Sequence, residues 1–227
     1  MITVHHLDNS RSQRVLWLLE ELGLAYEIRA YKRDAKTMLA PPELKAVHPL
    51  GKSPVVTVDD PLGPVTLAES GAIIEYFVER EGGKLRPAAG TRERLDYTYF
   101  LHYAEGSAMP LMVMKLIFSR IPKSPMPFFV RPVAKALSDK VQQTFLDPQI
   151  RTHLDFLEAH LGRQAWFAGS DFSAADIQMS FAVMAALVRG GGAGRYPRLQ
   201  GYVQRIKDRA AYQRAIERGG PLQLLGG

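Results

Sequence analysis

The sequence predicts an α+β fold: a small α/β unit followed by an all-α helical bundle. Three observations predict it. Within residues 1–81 strand-like and helix-like stretches run in the order β-α-β and then β-β-α. A cluster of helix breakers, Gly82-Gly83-Lys84-Leu85-Arg86-Pro87-Ala88-Ala89-Gly90, then interrupts the chain. Beyond it every patterned stretch is helical. The expected division is therefore residues 1–81, a linker at 82–90 and a helical domain over 91–227.

Ile2 to His6 predicts the first strand. Ser10 to Leu22 predicts a helix, because Val15, Leu16, Leu18, Leu19 and Leu22 form a wide apolar face that stops at Gly23. Tyr26 to Tyr31 is a second strand. Residues 32–52 are polar and irregular, with one helical turn near Pro42 to Val47. Val55 to Val58 and Val65 to Ala68 are short strands joined as a hairpin by Asp59-Asp60-Pro61-Leu62-Gly63-Pro64. Ser70 to Glu81 is helical. In the second half, helices are expected over Thr91 to Arg120, Val133 to Leu161, Ala174 to Arg189, Leu199 to Arg209 and Tyr212 to Arg218. Gly190-Gly191-Gly192-Ala193-Gly194 follows a helix and is expected to be a flexible connector.

A chain of 227 residues with 46% hydrophobic content can bury a sizeable core without staples. The 29 Lys+Arg against 23 Asp+Glu give a formal charge of +6, a mild bias toward anionic small molecules. The basic residues are scattered and do not interleave with aromatics, which argues against nucleic-acid binding. There is no cysteine. Disulfides, thiolate metal sites and a protein-borne sulfur nucleophile are excluded, so any sulfur chemistry needs a thiol brought by a ligand. The start MITVHHLDNS lacks a signal-peptide pattern, and no apolar run reaches the ~18 residues of a membrane span, so a soluble cytoplasmic protein is expected.

Four segments carry groups that could do chemistry. At Asn9-Ser10-Arg11-Ser12 a strand feeds a helix, and a helix start offers unpaired N–H groups and partial positive charge to an anion. A hydroxyl there can donate to a thiolate. One charge-assisted bond of about 1.5–3 kcal/mol would lower a thiol pKa by about one to two units. Ser10-x-x-Gln13 is equally a helix capping box, and both readings stay open, since a capping hydroxyl keeps its own proton. At Gly51-Lys52-Ser53-Pro54, a cis Ser53–Pro54 bond would free the Ser53 backbone to pair with an extended peptide; the alternative is an ordinary turn. A phosphate-binding loop is rejected, because Ala46 stands where it needs glycine. At Glu69-Ser70-Gly71, Ser70 is an expected N-cap whose helix start can hold a carboxylate, while Glu69 can hold an ammonium. Ser173 and Asp176 have capping-box spacing, with Phe172 and Ile177 as a hydrophobic staple, a structural device without catalytic role. No metal site is expected: His153 and His160 lie two helical turns apart, roughly 10 Å, and His5 and His6 point to opposite faces of a strand.

Together, Asn9 to Leu22 (NSRSQRVLWLLEEL), His48 to Val56 (HPLGKSPVV), Leu67 to Tyr76 (LAESGAIIEY) and Phe167 to Ile177 (FAGSDFSAADI) resemble the cytosolic glutathione S-transferase family over nearly the whole chain. The resemblance is nearest to its bacterial and fungal branch with an NSRSQR-type first helix. It implies a thioredoxin-like N-terminal β-α-β-β-β-α domain that binds glutathione as co-substrate, without metal. It also implies a helical domain shaping a second-substrate site for hydrophobic electrophiles, a homodimer, and a role in detoxification without nucleic-acid or membrane partners. By resemblance, the Ser53 backbone pairs with the ligand's cysteinyl part before a cis Pro54, and Lys52 meets the glycine carboxylate. Glu69 and Ser70 hold the γ-glutamyl end, and His48 lines the same groove. Counted back from Arg14-Val15, the family's usual catalytic serine falls on Asn9, with Ser10 next to it. The lack of a Tyr in this segment argues against tyrosine-type catalysis, and cysteine-type catalysis is excluded because the chain has no cysteine. Ser10 is the leading thiolate donor, with Asn9, Arg11 and Ser12 as alternatives. Met109, Leu111, Met112, Leu116 and Phe118 are candidates for the cleft wall, against the ordinary reading of helical apolar residues as core or dimer interface. Three functions stay open: conjugation, glutathione-dependent reduction of disulfides or peroxides, and non-catalytic binding.

Overall fold

A computed structural model of the chain describes residues 1–34, 37, 39–61, 63–190 and 194–222. Leu62 of the expected hairpin turn and residues 191–193 of the expected glycine connector lie outside the described residues. The first unit runs β1 (Ile2–Leu7), α1 (Ser12–Leu22), β2 (Glu27–Tyr31), α2 (Pro42–Val47), β3 (Val55–Asp60), β4 (Gly63–Ala68) and α3 (Ser70–Arg80). The strand order is β2-β1-β3-β4, with β1 parallel to β2 and antiparallel to β3, and β3 antiparallel to β4. This is the expected thioredoxin-like sheet, and the hairpin forms as predicted.

The helical unit contains α4 (Arg92–Tyr103), α5 (Met109–Arg120), α6 (Arg131–Val141), α7 (Asp147–His160), α8 (Ala174–Arg189), α9 (Pro197–Lys207) and α10 (Ala210–Gly219). Two expected long helices are each interrupted by one turn of π-helix. In Ala104–Ala108 the Met109 N–H reaches back five residues to the Ala104 carbonyl, and Gln142–Leu146 does the same through Asp147. Among the described residues, no helix is long and apolar enough to cross a membrane.

Pleating divides β1. Ile2, Val4 and His6 share the face under α1, whereas His5 and Leu7 share the other, where Leu7 packs with Tyr31 of β2 and Leu44 of α2. His5 meets the Tyr31 hydroxyl at 2.9 Å and so stands opposite His6, as the alternation predicts. Val15, Leu16, Trp17, Leu18 and Leu19 of α1 are buried all round, because α1 lies between the sheet and the helical unit. Residues 174–186 of α8 are likewise buried on every side, and one continuous apolar core spans both units. The predicted capping box of α8 forms: the Ser173 N–H and hydroxyl both donate to Asp176 Oδ2, at 2.9 and 3.0 Å. Asp176 Oδ1 takes the Phe167 N–H at 2.9 Å, tying the preceding loop to the same carboxylate. Phe172 packs on Trp17 and Trp166.

Two capping expectations are corrected. α1 starts at Ser12, with Arg11 at the cap and no side-chain cap bond, so Ser10-x-x-Gln13 does not form a box. Ser10 instead folds back, and its Oγ accepts the Ser12 N–H at 3.2 Å. At α3 the cap is Glu69, and Ser70 is already the first helical residue.

Candidate functional site

The antiparallel register sets the site. His5 of β1 faces Val55 of β3, so Ser53, just before β3, lies beside the end of β1 where the chain leaves for α1. The Ser53 hydroxyl donates to the His5 carbonyl at 3.2 Å, pinning the two segments together. The Ser53–Pro54 peptide bond is cis. Between β1 and α1 the backbone turns at Asn9, whose φ is 49°, a left-handed conformation that asparagine tolerates better than most residues.

A cavity of about 490 Å³ opens at this junction. Asn9, Ser10 and Arg11 form one wall, Gly51, Lys52 and Ser53 another, and Arg33, Leu39, Ala40, Pro42 and Lys45 the side under α2. Phe181 of α8 reaches it from the helical unit. Among the described residues the wall thus carries four cations, Arg11, Arg33, Lys45 and Lys52, and no carboxylate. Arg33 is oriented by Asp8, whose carboxylate takes its N–H at 3.0 Å and whose carbonyl takes its Nε at 3.3 Å. A concave, apolar-floored site with convergent cations suits a small polyanionic ligand.

Beneath the wall the polar groups continue inward. The Ser10 and Ser12 hydroxyls are 2.7 Å apart, and Ser10 Oγ lies 3.3 Å from Ser53 Oγ. Ser12 Oγ lies 2.9 Å from His6 Nδ1, and His6 Nε2 lies 2.8 Å from the carbonyl of Gly219 at the end of α10. Burial lowers the pKa of His6, and the Gly219 carbonyl and Asp8 oppose it only in part, so the ring is neutral near pH 7.

Of the sequence-predicted residues, the cavity brings together Asn9, Ser10, Arg11, Lys52 and Ser53. It does not border Ser12, His48, Pro54, Glu69 or Ser70. Ser12 and Pro54 are buried behind it. Glu69 is exposed with φ 70°, the left-handed region that a non-glycine residue enters only under constraint. Ser70 is buried and accepts from Arg14 Nη1 at 3.2 Å. Arg14 is itself buried, and it pairs with Glu105 of the first π turn at 2.5 Å; Arg11 bonds the other oxygen of the same carboxylate. Of the two readings of α5, core burial is the one observed for its first turn. Met109, Leu111 and Met112 are buried in the core, and neither they nor Leu116 and Phe118 border this cavity. The aromatic that does so, Phe181, looks like any other apolar residue of a buried helix. Lys45 and Arg33 could have been suspected from their closeness to Lys52 and to β2, but single cations carry no distinct signal.

Residues 1–79 match the family model described as the N-terminal domain of glutathione S-transferase, and residues 139–205 match the one described as its C-terminal domain. The chain is 35% identical to Glutathione S-transferase 1 of Saccharomyces cerevisiae, over 98% of this chain and 97% of that one. It is 26% identical to the disulfide-bond oxidoreductase YfcG of Escherichia coli, over 95% and 94% of the two chains. A crystal structure of a glutathione S-transferase from Actinobacillus pleuropneumoniae superposes with a TM-score of 0.79 at 31% identity, covering 99% of this chain and 95% of the other.

Proposed function

Because the chain belongs to the glutathione S-transferase family, we propose that the cavity at the β1–α1 junction binds glutathione and presents its thiolate to a hydrophobic electrophile. The observation that carries this reading is the Ser10 hydroxyl on a wall whose described residues include four cations and no carboxylate. Glutathione as thiolate has three negative groups and one ammonium, so that wall complements it. Residues 1–81 are the glutathione-binding domain, 82–90 the linker, and 91–227 the domain that completes the second-substrate site. Lys52 meets the glycine carboxylate, the Ser53 backbone before Pro54 pairs with the cysteinyl part, and Glu69 and Ser70 hold the γ-glutamyl end. His48, which does not border the cavity, lines the continuation of the ligand groove in this reading. A ligand that reaches Glu69 and Ser70 extends beyond the cavity wall past Ser53. Ser10 is the thiolate donor; Asn9 and Arg11, also on the wall, and the buried Ser12 are its rivals. The protein supplies binding, orientation and one charge-assisted hydrogen bond, and the ligand supplies the nucleophile. A homodimer in the cytoplasm with a role in detoxification belongs to the same proposal.

A second reading is favoured by the similarity to a disulfide-bond oxidoreductase: the same thiolate reduces disulfides. Titrating purified protein with glutathione by calorimetry, then assaying with an aryl halide and with a disulfide, separates the two. Turnover of the halide is expected. Turnover of the disulfide alone replaces conjugation by the redox reading, and no binding at saturating glutathione removes both. Ser10→Ala is expected to raise the pKa of the bound thiol by about one to two units. If Asn9→Ala alone does so, the donor is Asn9.

A further inference from the structure

The hydrogen bonds behind the cavity have a fixed direction. A carbonyl oxygen only accepts, so the His6 nitrogen facing Gly219, Nε2, carries the ring's proton. In the neutral ring Nδ1 is then an acceptor, and the Ser12 hydroxyl at 2.9 Å must donate to it. The Leu7 carbonyl, at 3.4 Å, is the longer alternative for that proton. Having donated, Ser12 Oγ accepts from Ser10 at 2.7 Å. Ser53 Oγ, at 3.3 Å, is the longer alternative for the Ser10 proton, and Ser10 Oγ, on the cavity wall, takes the Ser12 N–H on one lone pair and has the other left for a ligand. The three groups form a chain of donors that runs from the cavity wall to a histidine with no opening of its own on that wall.

We propose that Ser10, Ser12 and His6 are a proton relay that carries the thiol proton of the bound ligand into the protein interior. The inference rests on the glutathione reading given above. The S–H bond breaks with its electron pair left on sulfur, and the proton passes to Ser10 Oγ. The proton of Ser10 moves to Ser12 Oγ, and that of Ser12 moves to His6 Nδ1. The products are a thiolate and an imidazolium whose Nε2–H still rests on the Gly219 carbonyl. Every hydroxyl is now reversed, so Ser10 points its proton at the sulfur. The same shift that makes the thiolate also supplies its hydrogen bond. When sulfur has bonded to the electrophile and the leaving group has departed with its own electron pair, the proton returns through Ser12 and Ser10 to water in the cavity.

The groups that meet the ring are Ser12 from α1, the Gly219 carbonyl from α10 and, through space, Asp8 beyond β1. Burial keeps the ring unprotonated in the resting state, and the carbonyl and Asp8 favour the imidazolium once it forms. Arg11 and Arg33 on the wall favour the thiolate side of the transfer. Ser10 would touch the reacting sulfur; Ser12 and His6 are positioning residues that act through it.

The test reads glutathione bound to the whole protein with no second substrate, by ultraviolet thiolate absorbance against pH. Ser12→Ala is expected to raise the midpoint by about one unit, a roughly tenfold fall in the thiolate-to-thiol ratio at any given pH, with affinity for the protonated ligand within about twofold. Ser12→Thr, which restores the hydroxyl, is expected to restore the midpoint. In stopped-flow mixtures of light and heavy water, the wild-type rate of thiolate formation is expected to bow with deuterium content, because several protons move together. A straight line in the wild type overturns the relay without recourse to any variant. A wild-type midpoint in a folded Ser12→Ala that still binds glutathione overturns it too, while the glutathione reading stands. A wild type that binds no glutathione overturns both.

Discussion

Ser70 shows how a residue placed by pattern acquires a different neighbourhood in three dimensions. The capping signal was correct about the helix and off by one position about the cap, because Glu69 takes the left-handed conformation there. Ser70 is turned inward, where its oxygen accepts from Arg14. Accepting leaves the hydroxyl its proton for a ligand carboxylate at the start of α3. Ser70→Ala should therefore weaken glutathione binding about fivefold, the equivalent of one net hydrogen bond of about 1 kcal/mol, by calorimetry. An unchanged dissociation constant removes Ser70 from the site. At this scale the candidate wall was partly legible: Asn9, Ser10, Lys52 and Ser53 sit in breaks between elements, where the pattern changes period. Arg14 and Glu105 were not, since nothing in a helical repeat announces that an arginine will be buried against a residue 91 positions away.

Among the elements, α10 fits closely against the sheet domain at its last residue. A Cβ added to Gly219 would lie 2.3 Å from Leu16 Cδ1, 2.9 Å from Gln13 Oε1 and 3.3 Å from His6 Cε1. Gly219→Ala is expected to push the end of α10 off α1 and to cost about 1–3 kcal/mol in denaturant unfolding. Gly201→Ala in α9 is the contrasting case. Its Cβ would meet only Arg205 Nη1, at 3.6 Å, so this change should stabilise by roughly 0.5–1 kcal/mol through helix propensity alone. Equal effects of the two substitutions would contradict the packing at Gly219. The sheet strands, α1 and the α8 cap were readable because period, stop signal and cap chemistry agree there. The two π turns were invisible, because one extra residue in a helix leaves composition and polarity unchanged.

Across the whole molecule, the two units share one core and an ion pair that crosses between them. Burial alone would raise the pKa of Glu105, but Arg14 and Arg11 outweigh it and hold the carboxyl below its ordinary 4.5. A carboxyl depressed by folding contributes its full stability above its unfolded value, and that contribution is lost as pH falls through the folded value. The thermal midpoint should thus decline below about pH 4.5 as Glu105 takes up its proton. Glu105→Gln should flatten that decline while costing about 3 kcal/mol at neutral pH, roughly 10 °C in a chain of this size, because Arg14 is left buried without its counter-ion. An equal slope in wild type and variant would mean that other carboxyls govern the acid response. The long-range pairs of Glu21 with Arg209, and of Glu20 with Arg214 and Arg218, hold the closing helices to α1 over the outer rim of the same boundary.

The bond from His6 to Gly219 spans 213 positions. The two partners come from opposite units of the fold, so the contact exists only while α10 stays docked on the sheet. Fraying of the last turn of α10 would take the acceptor away from Nε2 and leave the ring without the contact that fixes its tautomer. How residue 6 holds its proton is thereby tied to how firmly a helix more than two hundred positions away is anchored.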